Sequence, residues 1–284
     1  MIKRILVALD PDPDTPVATK FALRLAKRFD ASITGMAVVD TTNFHTEVGG
    51  SGLGGGFYGH EIWTELTEDT RKKALQLLEN FKSMVVKENV THTAIKKEGV
   101  SHLRIIEEMK YHDLLIVGRD PHFYYGDPEV ETDTLAQVVK SGVAPTLIVT
   151  DEYRDVEKVL IAFDGSAPAA RSLHGFVQLL PYGKDIEIEL LNISKGDSTD
   201  DMDQSAAILN QAETYLSSHN FNYVSKKVMG KGKPSERILE REKEFSPDLI
   251  VLGAHSVTAI RRATFGSTTH EMITNTEKPL FLSP

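Results

Sequence analysis

Lys3–Asp10 reads KRILVALD and Glu157–Asp164 reads EKVLIAFD, a short aliphatic run closing on an aspartate and written twice in one chain. Two more phrases recur in the same order. Asp113–Gly118 (DLLIVG) is answered by Asp248–Gly253 (DLIVLG), and Ala144–Val149 (APTLIV) by Lys278–Ser283 (KPLFLS). The 284 residues leave room for about two domains of ordinary size. The repeat sets their junction near Thr150–Arg154, dividing the chain into 1–151 and 152–284.

Working outward, each aliphatic run is followed by a helical pattern. That alternation predicts parallel strands covered on both faces, near 3–9, 32–39, 91–97, 113–118 and 145–150, and near 157–163, 185–193, 222–229, 248–253 and 279–283. The expected fold is α/β: two tandem doubly wound domains, each a five-stranded parallel sheet with helices on both faces. In the first helix Thr15 is the cap candidate and Pro16 suits the opening position, while Ala18, Phe21, Ala22, Leu25, Ala26 and Phe29 form one apolar face. Ligands of such sheets sit beyond the carboxyl ends of the strands, where Asp10, Gly118, Asp164 and Gly253 fall. The apolar last strand of each copy predicts that the two domains pair with each other and leaves a homodimer of whole chains open.

The two copies differ in length. Asp10 to Asp113 exceeds Asp164 to Asp248 by 19 residues, and the first copy holds VGGSGLGGGFYG at Val48–Gly59. With no lysine and no strand-to-helix context, this stretch reads as a mobile surface insertion after the second strand rather than a phosphate loop.

Composition removes several classes of function. The chain has no cysteine, which excludes disulfides, thiol catalysis and cysteine-held metal, and suits a reducing compartment; cytoplasm is the expected location. No apolar run approaches the length of a membrane span, and no leader pattern opens the chain. The net charge of −9 is shared almost evenly between the halves and repels a nucleic-acid backbone. The ten histidines form no pair at helical metal-ligand spacing, and no Ser-His-Asp arrangement is legible. A phosphoacceptor reading of Asp10 or Asp164 lacks the further acids and lysine it needs; a carboxylate at a strand end otherwise braces the turn that follows.

The chemistry concentrates after the fourth strand of the second copy. Gly253 and Ser256 precede nine residues that lead to Gly266, Ser267, Thr268 and Thr269, where a helix is predicted to begin. Glycines let backbone approach a ligand, and the amides of a helix start attract an anion. Residues 254–265 hold Arg261 and Arg262 and no acid, with His255 and His270 flanking the cradle. The matching stretch 119–133 carries one base, Arg119, against five acids, with Pro121 in the loop and Thr132-Asp133 in place of Gly-Ser. Proline lacks an amide donor, and Asp133 is suited to cap the helix itself.

In the strand ending Asp164-Gly165-Ser166, the stretch GKGKPSERILE at Gly230–Glu240 and the loop of Gly253 to Ser267, the second half resembles a nucleotide-binding universal stress protein domain, and the whole chain resembles a tandem pair. The resemblance implies an adenine nucleotide, ATP or another, in the second half. It gives Gly253, Gly266 and Ser267 phosphate or ribose roles, with Thr268 and Thr269 following in the cradle. Asp164 falls at the adenosine end, and Ala162 and Ile193 offer backbone or apolar contacts. Mg2+ or Mn2+ would arrive with the phosphates, since no protein cage is visible. The implied role is a stress-linked sensor or regulator, with any hydrolysis slow. Ser256 departs from the pattern, which has glycine there; if that backbone requires a positive φ, affinity falls. The rivals are an interaction module that uses no nucleotide and an enzyme acting on a nucleotide-linked metabolite.

Overall fold

The computed structural model describes residues 1–11, 14–40, 55–119, 134–179, 181–254, 256–259 and 262–284, with backbone alone over 55–66, 256–259 and 262–265. The first half runs β1 (Arg4–Leu9), α1 (Asp14–Phe29), β2 (Ser32–Val39), α2 (Gly55–Lys87), β3 (His92–Glu98), α3 (Ser101–Met109), β4 (Leu114–Gly118), α4 (Thr134–Ser141) and β5 (Thr146–Val149). The second runs β6 (Lys158–Ala162), α5 (Ala167–Leu179), β7 (Glu187–Ile193), α6 (Thr199–Ser218), β8 (Val224–Met229), α7 (Pro234–Phe245) and β9 (Leu249–Val251). It continues through a hairpin of β10 (Ser256–Ala259) and β11 (Arg262–Phe265) to α8 (Ser267–Asn275) and β12 (Leu280–Leu282).

The two five-stranded parallel units join into one ten-stranded sheet, ordered β3-β2-β1-β4-β5-β12-β9-β6-β7-β8. The seam is antiparallel: Leu280 faces Ile148, Phe281 faces Leu147 and Leu282 faces Thr146. Each outer face of this sheet carries helices from both halves. One core packs Ile5, Val7 and Leu9 with Phe21 of α1, Phe81 of α2, and Phe176 and Leu209 of the second half. The other packs Leu6 and Ala8 with Ile105, Val138, Ile238 and Met272. The alternation along β1 explains the division, since successive side chains leave opposite faces of a strand, and a strand buried on both faces reads as a continuous aliphatic run.

The aspartate that opens each repeat of DLLIVG and DLIVLG is a brace. Asp113 Oδ2 accepts the amides of Lys3 and Arg4 at 2.7 and 2.9 Å, and Asp248 Oδ2 accepts those of Glu157 and Lys158 at 3.0 and 2.9 Å. In both halves it satisfies backbone donors where the first strand enters the sheet, groups that would cost free energy if left without partners.

Two local expectations need correction. Gly55, Gly56 and Gly59 belong to α2, a helix of 33 residues, so the glycine-rich insertion is helical from Gly55 on; residues 48–54 lie outside the described residues. Helix α1 begins at Asp14, not after Thr15. The Thr15 hydroxyl accepts the Asp10 amide at 2.8 Å, tying the strand end to the helix instead of capping it.

Candidate functional site

A cavity of about 410 Å3 opens at the carboxyl ends of β6, β7 and β9. Its strand-side wall is apolar: Ala162, Leu191, Ile193 and Leu252, joined by Ile238 of α7. The opposite end is backbone-rich, formed by Gly253, Gly266, Ser267, Thr268 and Thr269. The second half has the strand order β12-β9-β6-β7-β8, so the connections diverge between β6 and β9. The cavity lies at that switch point, where open α/β sheets bind ligands.

Sequence and local geometry account for the polar end. Gly266 is the N-cap of α8, with φ −59° and ψ 151°, and no side chain caps the helix. The first intrahelical bond runs from the His270 amide to the Gly266 carbonyl at 3.0 Å, leaving the amides of Ser267, Thr268 and Thr269 without helical acceptors. With the helix dipole they make an anion-attracting end. Gly253 is required by close approach: a Cβ there would meet the Ala169 amide nitrogen at 2.6 Å. The glycine thus lets the start of α5 close down on the end of β9. Thr269, buried, donates its hydroxyl to the Gly253 carbonyl at 3.2 Å, so that hydroxyl holds the two glycine-bearing segments together.

Asp164 is exposed at the cavity's edge, and its Oδ1 accepts the Ser166 amide at 2.9 Å. Gly165 between them has φ +77°, a conformation that L side chains resist. The carboxylate therefore braces the β6–α5 turn and keeps its second oxygen for other work. Among the described residues no lysine or arginine lines the cavity. Lys233, one residue before the wall residue Pro234, is bound to Glu271 at 2.8 Å. That hydrogen bond holds Glu271 below the usual carboxylate range and raises Lys233.

Of the nine residues singled out from the sequence, Ala162, Asp164, Ile193, Gly253, Gly266, Ser267, Thr268 and Thr269 line this one cavity. Ser256 does not. It opens β10 and pairs with Phe265, in extended backbone that any residue adopts, so the condition of a positive φ is not met there. Sequence reasoning missed the contributions of Phe163, Ser166, Ala169, Pro234 and Ile238. Pro234 at the opening of α7 was the available signal, since proline favours the first helical position. His255, Arg261, Pro121, Thr132 and Asp133 lie outside the described residues, and His270 is exposed on α8. Among the described residues no cluster of three His, Cys, Asp or Glu side chains is arranged to hold a metal ion, and no helix is long and apolar enough to cross a membrane.

The corresponding end of the first half holds buried carboxylates. Asp14 Oδ2 accepts the Arg119 amide at 2.8 Å, and Gly118 lies so close that a Cβ there would meet that same oxygen at 2.8 Å. Asp40 Oδ2 accepts the amide and hydroxyl of Ser101 at 2.8 and 2.9 Å, at the start of α3. Asp10, Asp14 and Asp40 are 2, 6 and 8% exposed.

Comparison with known proteins follows the same two-part division. The profile of the Universal stress protein family matches residues 1–149 and again 155–284. Universal stress protein Slr1230 of Synechocystis is 27% identical over 146 residues, which are 51% of this chain and 49% of that protein; the chain thus spans about half the length of that curated relative. Among solved structures, a universal stress protein from Archaeoglobus fulgidus DSM 4304 is similar with a TM-score of 0.71 at 16% identity, covering 99% of this chain and 97% of the other. PA1789 from Pseudomonas aeruginosa PAO1, a protein of unknown function, has a TM-score of 0.62 at 16% identity, covering 100% and 93%. With both halves matched by the family profile and the paired fold shared along nearly its whole length, the chain belongs to the universal stress protein family, as two family domains in tandem.

Proposed function

We propose that the second half binds an adenine nucleotide, ATP or a relative of it, in the 410 Å3 cavity, and that the chain is a cytoplasmic nucleotide-dependent sensor or regulator of a stress response. One observation carries the reading: an apolar, strand-lined pocket leads directly to an uncapped helix start. An adenine ring suits the wall of Ala162, Leu191, Ile193 and Leu252, and a phosphate suits the amides of Ser267, Thr268 and Thr269. The free oxygen of Asp164, on the rim between these ends, is an acceptor for a ribose hydroxyl. The described lining residues carry no basic side chain, and a magnesium or manganese ion carried by the phosphates would supply the charge a triphosphate needs. Among the described lining residues Asp164 is the one acid, and it is already engaged in its turn, which favours holding a nucleotide over turning it over.

In this reading the division falls at 1–151 and 152–284, and the first half takes no polyphosphate. Denaturing the purified protein and identifying the small molecule released tests it. An adenine nucleotide at close to one per chain is expected. A different metabolite, or no ligand together with no ATP binding by titration, would overturn it in favour of an enzyme or of an interaction module.

A further inference from the structure

The helix start that closes the cavity is flanked by two chain segments, and both rest on the first half. On its carboxyl side, β12 hydrogen-bonds to β5 through Leu280–Ile148, Phe281–Leu147 and Leu282–Thr146. On its amino side, β11 ends at Phe265, directly before the cap Gly266, and packs against both α8 and α4. The hairpin is tied along its length, Ser256 to Phe265 and Val257 to Thr264, so it links the Gly253 end of the cavity to the Gly266 end as one unit. Ala136 of α4 is 9% exposed yet belongs to neither core cluster, marking a face of α4 covered by something other than the sheet core. The side of α4 that meets β11 is the candidate.

We infer that the first half is a positioning element of the second half's site: α4 seats the β10–β11 hairpin, and the hairpin with the β5–β12 seam fixes where the α8 amides stand relative to Gly253. A helix start binds an anion through amides whose directions are already set, and preorganisation of that kind governs affinity more than contact number does. The half that keeps buried acids at its own crevice would then be retained as the support against which the other half's loop is held. That these amides receive phosphate rests on the nucleotide reading; that α4 and the hairpin hold α8 does not.

Hydrogen exchange on the intact chain, without ligand, separates the two. Ala136→Glu places a charge on the covered face of α4, and Thr264→Pro removes a strand amide from the hairpin. Local opening free energies report directly in exchange rates. In Ala136→Glu the amides of His270–Asn275 should exchange about tenfold faster while those of β6 and β7 stay as in the wild type. In Thr264→Pro the amides of Val138–Ser141 should speed up similarly. Either variant that folds and leaves the other element's exchange unchanged overturns the proposal, and if one fails to fold the other decides alone. Failure of the nucleotide reading appears separately, as wild-type protein that does not bind ATP, and leaves the exchange result standing.

Discussion

At the carboxyl end of β4, Gly118 is pressed against the carboxylate of Asp14; at the carboxyl end of β9, Gly253 is pressed against the backbone of Pro168 and Ala169. The two glycines do the same packing work in the two copies, yet four residues past the strand-end aspartate one helix supplies a buried acid and the other a proline. The consequence is electrostatic. In the first half Asp10, Asp14 and Asp40 gather beneath 2, 6 and 8% exposure, and a phosphate brought beside them would meet like charge in a poorly solvated place. In the second half the same region opens into a cavity where, among the described residues, the one acid is Asp164, at its exposed edge. A shared backbone frame leaves the ligand to be decided by a few side chains at the strand ends.

The largest way to break this contrast is to give the second half an acid of its own. Gly266 has an ordinary φ of −59°, so aspartate fits there without strain and would cap α8. Gly266→Asp should leave the melting temperature unchanged or slightly raised while ATP affinity falls by about 3 kcal/mol, roughly a hundredfold, from like charge placed at the phosphate. Calorimetric titration and a thermal melt check the two halves of that statement.

Removing the first half's acid probes the other side. Asp14→Ala orphans the Arg119 amide that its carboxylate accepts and should cost about 1–3 kcal/mol of stability, the usual penalty for a buried donor left without its partner. Urea denaturation measures it. The variant should not gain a nucleotide site, because the first half's crevice still holds Asp10 and Asp40.

Ser256→Gly is a finer test. An expectation drawn from the glycine pattern alone has this change tighten binding; the strand at β10 reverses its sign. Glycine inside a strand loosens the hairpin at a cost of about 0.5–1 kcal/mol, so ATP affinity should weaken modestly. Tighter binding would mean that the loop works in a conformation other than the paired one.

The smallest effect concerns what each half keeps between its second strand and the helix packed on it. In the second half Arg241 grips Glu189 with two hydrogen bonds of 2.7 Å. At the equivalent place the first half pairs His112 with Thr34 at 2.9 Å, and burial holds that imidazole below its ordinary range. With its folded pKa below the unfolded value of about 6.5, the unfolded chain takes up the proton first. The stability supplied by neutral His112 is therefore complete above about pH 6.5 and is lost as pH falls below that value through the lower folded pKa. His112→Gln should flatten this part of the stability–pH profile, and an unchanged acid limb would assign it to other groups.

Much of this was legible because the repeat is short-range information. Aliphatic runs such as KRILVALD and DLIVLG read as doubly buried strands wherever they occur, and the predicted strands lie within about two residues of the observed ones, the usual uncertainty of an element boundary. Eight residues of the cavity lining were legible for the same reason, since they sit at strand ends and at one helix start. What escaped depends on the rest of the chain. Gly55, Gly56 and Gly59 each cost about 1 kcal/mol in a helix relative to alanine, so their place in α2 is visible only once 33 residues are considered together. The β10–β11 pairing reads as loop because four-residue strands without a glycine turn leave little signal. The apolar last strand of each copy did point to pairing of the two halves, and β5 meets β12 there; the antiparallel register that fuses the two sheets into one spans more than a hundred residues and is what no local pattern encodes.

The central claim is that one chain holds one adenine nucleotide, in the half whose strand ends carry glycine and amides instead of buried acids. Calorimetric titration of the intact chain with ATP and Mg2+, run on the wild type and on Gly266→Asp, tests it most directly. The expected result is a single site per chain whose affinity falls about a hundredfold in the variant. Two equivalent sites, or one site that survives Gly266→Asp with its affinity intact, would contradict it.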